Sequence, residues 1–196
     1  MASATPAAEA NTRQTTRVLI AGVGYRNLRD MSIGPVLIDQ LAAVPWPPGV
    51  DVEDLSYGPV AVIHSLREAT PPYGRLVVVA GVQRSYTPGT VSCYRWDGQL
   101  PGPVEIQARI EEALTGVIDL DNLLIVAKHF DALPNEVIVV EIQPEDTEWG
   151  EAFSGQIASR VDELMALIRE QALAEPGAGT VRGRAALGGL KAGNGH

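Results

Sequence analysis

Three stretches of the chain are short, continuous, apolar and rich in β-branched residues: Arg17–Ala21, Arg75–Ala80 and Glu136–Ile142. Such runs fit strands that are buried on both faces of a sheet. Val50 to Asp54 alternates between apolar and polar positions and reads as a strand nearer an edge. Thr90 to Trp96 follows the turn signal Thr87-Pro88-Gly89 and reads as a strand running antiparallel to its neighbour. Between these runs the apolar spacing changes to helical. Ile33, Val36, Leu37 and Leu41 share one face after Ser32, read as an N-cap, with Pro35 placed in the first turn. Gly58-Pro59 opens a second helix to about Ala69, and Ile106, Ile110 and Leu114 mark a third. Leu120, Leu123, Leu124, Ala127 and Phe130 mark a fourth, and Ile157, Val161, Leu164 and Ile168 a fifth that is read as one continuous helix to about Leu173. The alternation predicts an α/β fold, a three-layer sandwich with a mainly parallel sheet of about five strands between helices.

Composition narrows this picture. The 196 residues are 45% hydrophobic, enough for one domain to bury a core of its own. The expected organisation is an N-terminal disordered segment over residues 1–16, one folded domain over 17–173, and a disordered Gly/Ala-rich tail over 174–196 that carries Arg182, Arg184, Lys191 and His196. A formal charge of −9 argues against nucleic acid and anionic lipid as partners. No apolar run approaches the roughly 18 residues that cross a bilayer, so no membrane contact is expected, and the sparse cysteine content leads to an expected cytoplasmic location. The single cysteine, Cys93, excludes an intramolecular disulfide and a cysteine metal cluster.

In an open α/β sheet, ligands bind in the crevice beyond the carboxyl ends of the strands, so the residues there are the candidates for chemistry. Gly22-x-Gly24 is a poor dinucleotide fingerprint, because Asn27 stands where the third glycine is needed. His64 and His129 fall inside predicted helices and read as surface or core residues rather than metal ligands. No Gly-x-Ser-x-Gly elbow is present. Asp30, Asp54 and Asp121 each sit at a strand end or helix start, where a capping role competes with a catalytic one.

The stretch Val18-Leu-Ile-Ala-Gly-Val-Gly-Tyr-Arg-Asn-Leu-Arg-Asp-Met-Ser-Ile-Gly34 resembles the opening of the hydrogenase maturation proteases: a strand, a G-x-G-N loop, an acidic pair and a glycine before a helix. Asp54, Thr87-Pro-Gly-Thr90 and Ile142-Gln-Pro-Glu145 resemble later landmarks of that family in the same order. The resemblance implies the family's hydrolase-like α/β architecture. It also implies the family's task, removal of a short C-terminal extension from the large subunit of a nickel-iron hydrogenase, guided by nickel carried in the precursor. The partner it implies is that large-subunit precursor, and the free protein is expected to hold no cofactor of its own.

Three family residues approach the metal, and by register they fall on Met31, Gly81 and Asp121. Of these, only Asp121 offers a hard ligand; a thioether suits soft metals and glycine offers nothing. Tyr25 replaces the loop's usual asparagine, whereas Asp30 keeps the first acid of the pair and Asp54 its own position. The expected catalytic set is therefore Asp30, Asp54 and Asp121, with Asp121 as the metal residue. Three readings stay open: an active peptidase, a catalytically inactive homologue that binds or assembles the precursor, and a small-molecule hydrolase that reuses the cleft.

Overall fold

The computed structural model describes residues 16–175, 177 and 178. The two segments expected to be disordered, 1–16 and 174–196, lie outside the described residues except for positions 16, 174, 175, 177 and 178. Five strands form one sheet in the order β2-β1-β3-β5-β4: β1 (Val18–Val23), β2 (Val50–Asp54), β3 (Arg75–Gly81), β4 (Val91–Arg95) and β5 (Glu136–Ile142). Pairing is parallel throughout except between β4 and β5. The antiparallel reading of Thr90–Trp96 is thus correct. Its turn closes by a hydrogen bond from Thr90 N–H to the Thr87 carbonyl, with Gly89 at φ 78°.

Every residue of β1, β3 and β5 is buried, whereas each residue of the edge strand β2 is only partly so. Period-two alternation sends the side chains to two cores. Leu19, Ala21, Val78 and Val139 pack with Leu66 of α2 (Pro59–Glu68) and Leu123 and Leu124 of α4 (Leu120–His129). Ile20, Val77, Val79 and Val140 pack on the other face with Leu37 and Leu41 of α1 (Ile33–Ala42) and Leu164 and Ile168 of α6 (Val161–Leu173). Each fully buried leucine, isoleucine or valine among them stabilises the fold by about 1.5–3 kcal/mol. The helix α3 (Pro103–Ala113) lies outside these layers and is only lightly buried.

Two local readings need correction. The last helix is broken: α5 (Gly155–Ala158) ends before Arg160, and α6 starts afresh at Val161. Ile157 and Leu164 both reach the same core, so apolar spacing runs across the break and conceals it. Ser32 occupies the N-cap position of α1, but its hydroxyl donates to the Arg29 carbonyl and closes the preceding 3-10 turn, Arg29–Ser32, instead of accepting from the helix.

The glycines of the first loop serve packing. A Cβ on Gly22 would lie 2.5 Å from the Gly34 carbonyl oxygen, and one on Gly24 would lie 2.3 Å from the Met31 carbonyl oxygen. The loop and the start of α1 are therefore pressed against β1 more closely than any side chain allows, which brings Met31 over the end of the sheet.

Candidate functional site

The strand order reverses between β1 and β3, because the chain leaves β1 toward β2 on one side and returns to β3 on the other. This is where an open sheet forms a crevice. A cleft of about 220 Å³ lies there, lined by Gly24 and Met31 after β1, Gly81 and Arg84 at the end of β3, and Asp119 and Asp121 at the start of α4. The three positions expected to approach a metal, Met31, Gly81 and Asp121, do come together.

Asp121 is held by an arginine that sequence reasoning passed over. Arg84 donates from Nη1 to Asp121 Oδ2 at 2.5 Å and from Nη2 to Oδ1 at 2.8 Å, a bidentate fork. The same guanidinium reaches Glu141 of β5, with Nε 3.2 Å and Nη2 3.0 Å from Oε2. The side chains of Arg84 and Glu141 are only 11% and 2% exposed. Burial works against the charge on Arg84, but the hydrogen bonds and charges of Asp121 and Glu141 outweigh it, and the guanidinium is held even more firmly protonated than usual. Tyr94 donates to Glu141 Oε2 at 3.3 Å; burial and then the Glu141 charge push its phenol upward, so it stays a donor. The start of the loop is stapled as well, since Arg84 N–H and Tyr86 N–H both donate to Gln143 Oε1.

Asp30 and Asp54 do not join this cluster. Asp30 is fully buried and accepts three backbone N–H groups, from Glu145 and Asp146 on Oδ2 and from Ser154 on Oδ1, at 2.8–2.9 Å. Its carboxylate is directed at these amides, and Asp30 is not among the residues that line the cleft beside Met31. Asp54 is the last residue of the edge strand β2, where it accepts from Ser56 N–H and pairs with Arg26 at 2.8 Å. For these two acids a structural role is the one the geometry shows. Tyr25, next to the cleft residue Gly24, ties the loop after β1 to the segment before α4, its hydroxyl accepting from Ile118 N–H at 2.7 Å. His64 sits on an exposed helix face 4.0 Å from Glu68, an i+4 partner that the sequence reading overlooked, and His129 packs edge-on to Phe130. Among the described residues, no group of three or more His, Cys, Asp and Glu could hold a metal ion.

Asp119, the N-cap of α4, is the second acid of the cleft and accepts from Asn122 N–H at 2.7 Å. Burial raises its carboxyl above the usual carboxylate range, and the Asp121 charge adds to this, while the Asn122 N–H and Arg109 pull it down. A raised carboxyl lends stability that is complete below its unfolded value and is lost as pH rises through its folded one. Asparagine caps equally well without the charge. Asp119→Asn should therefore match the wild type in urea melts near about pH 3 and exceed it at about pH 7. A less stable variant at neutral pH would show that the ionised cap is favourable.

No family model matches the chain, and no curated protein matches it. Solved structures do. A hydrogenase 2 maturation peptidase from a Thaumarchaeota archaeon is 25% identical with a TM-score of 0.56, covering 79% of this chain and 97% of that one. An endopeptidase from Escherichia coli, solved in solution, is 21% identical with a TM-score of 0.62 over 83% of this chain and 94% of its own. The E. coli hydrogenase maturating endopeptidase HybD is 19% identical with a TM-score of 0.59, covering 78% and 90% of the two chains. The fold is that of the hydrogenase maturation proteases, at the low identity of a divergent structural relative.

Proposed function

We propose that this chain is a maturation-protease-like protein that acts in the cytoplasm on the C-terminal region of a nickel-iron hydrogenase large subunit. The observation that carries the reading is the match to a maturation peptidase over 97% of that protein's length, at 25% identity. Two of the segments that bear the sequence resemblance bear on the site: 18–34 gives Val23, Gly24 and Met31 to the cleft wall, and 142–145 hold the loops after β1 and β3 through the amide of Glu145 and through Gln143, which also bonds Gly89 and Thr90. A protein partner suits the rim, where Tyr57, Tyr86 and Trp149 stand exposed on the loops after β2, β3 and β5, Trp149 at 74%. No helix among the described residues is long and apolar enough to cross a membrane.

Within this reading Asp121 is the acid of the original three that faces the cleft, with Asp119 beside it to position water and Arg84 to stabilise developing negative charge on a scissile carbonyl. The Arg84 fork also favours a second reading, a binding or assembly factor without catalysis, because both oxygens of Asp121 are already engaged. Incubation with a large-subunit precursor, followed by intact mass measurement, separates the two. Loss of a short C-terminal peptide, suppressed at least tenfold by Asp121→Asn, is the expected result. A stable complex without cleavage would establish the assembly factor. The absence of both cleavage and complex would overturn the function proposed.

A further inference from the structure

The donor set of the cleft does not fit a nickel ion. Met31 offers a thioether, and both oxygens of Asp121 lie within 2.8 Å of Arg84 nitrogens. Position 81 cannot be refilled, since a Cβ there would sit 2.8 Å from the Asp30 carbonyl oxygen. A metal ion would have to expel a buried guanidinium from two carboxylates, one of them almost inaccessible, and strand that cation in the protein. The guanidinium is a permanent cation at any pH the protein meets.

Its donors can be counted. A guanidinium carries five N–H groups: one on Nε and two on each terminal nitrogen. Nε serves Glu141, Nη2 serves Asp121 and Glu141, and Nη1 serves Asp121 once. One N–H on Nη1 is left over, on a residue that lines the cleft. Its natural acceptor is a neutral oxygen, because the site already sets three acids, Asp119, Asp121 and Glu141, around one cation and disfavours a further anion.

We infer that Arg84 is the fixed cation of this cleft, standing in for a metal, and that its spare N–H receives a backbone carbonyl of the partner's C-terminal peptide, so that recognition does not depend on nickel. The identity of the peptide rests on the proposed function; the exclusion of metal does not.

Two measurements test the two halves. In the first, the tag-free full chain is titrated with Ni²⁺ by calorimetry. The wild type should show no site tighter than about 10 μM, close to −7 kcal/mol. Arg84→Ala, which uncovers Asp121 and Glu141 together, should tighten Ni²⁺ binding at least tenfold, and the further change Asp121→Asn should remove the gain. Arg84→Lys, which keeps a charge in the cleft, should stay as refractory as the wild type, and serves if the alanine variant fails to fold. Tight stoichiometric uptake by the wild type that Asp121→Asn abolishes overturns the assignment.

In the second, binding is compared for large-subunit precursor purified from nickel-starved and from nickel-fed cells. Affinities should agree within about threefold, and Arg84→Lys should weaken both by about tenfold. A preference above tenfold for the nickel-loaded form overturns nickel-independent recognition and leaves the proposed function standing. Binding of neither form overturns the proposed function together with the peptide half, and the titration alone then decides the place of Arg84.

Discussion

Replacing Asp30 with alanine should lower the stability of the protein by about 3–5 kcal/mol, among the largest effects of any single side-chain truncation in the domain. The carboxylate is fully buried and ties residue 30 to the amides of residues 145, 146 and 154, which lie 115, 116 and 124 positions further along the chain. Each is a hydrogen bond to a charged acceptor, worth about 1.5–3 kcal/mol, and truncation leaves partly buried donors without a partner. Asp30→Asn is the sharper variant. It preserves shape, but its amide can offer an oxygen to one side only, so the NH₂ group faces at least one of the three donors. A structural Asp30 predicts that asparagine lowers stability substantially, and activity only in proportion to the unfolded fraction. If Asp30→Asn melted with the wild type and abolished cleavage, the acid would be catalytic and the structural assignment wrong.

This outcome also marks the limit of what the sequence discloses. Asp30 was visible as an acid after β1, and a capping role was weighed for it, but a capping reading looks a few residues along the chain. The three amides that Asp30 serves belong to another loop altogether. The sheet was legible because each central strand is built on four or more consecutive apolar residues, with the charged ones, Arg75, Glu136 and Glu141, only at or near strand ends. The break between α5 and α6 was not, because no proline or glycine marks it and both pieces put apolar residues into the same core.

Arg84 belongs to no motif and stands alone after β3, so nothing in its own neighbourhood marks it. A signal for it did exist. Glu141 sits inside the run Glu136–Ile142, and a carboxylate in a strand buried on both faces needs a cation or a donor. The other acid of that run obeys the same rule: Glu136 is paired at 2.7 Å with the buried Arg75, its register partner on β3. Two glutamates in one buried strand thus call for cationic partners, and Arg75 and Arg84, at and just after the ends of the neighbouring strand β3, supply them.

The coupling between Asp30 and Gly81 yields the second large effect. Gly81→Ala should destabilise the protein by about 1–3 kcal/mol, the usual range for overpacking, although alanine at an ordinary buried strand position is benign. The new Cβ would lie 2.8 Å from the Asp30 carbonyl oxygen and 3.3 Å from the Met31 Cα, backbone atoms rather than the mobile end of a side chain. That backbone cannot yield easily, because the Asp30 carboxylate anchors it through three amides and its own N–H donates to the Asp146 carbonyl at 3.1 Å. Gly81→Asp would add a charge to the same collision and should be worse, so the missing family ligand cannot be restored by a single substitution. The cause can be isolated with a double-mutant cycle. If the anchored loop resists the new side chain, Asp30→Ala should relax it, and Gly81→Ala should then add less than half of what it does in the wild-type background. Urea melts of the four proteins supply the numbers. Strict additivity would mean that the clash is absorbed elsewhere and that Asp30 does not hold the loop against β3.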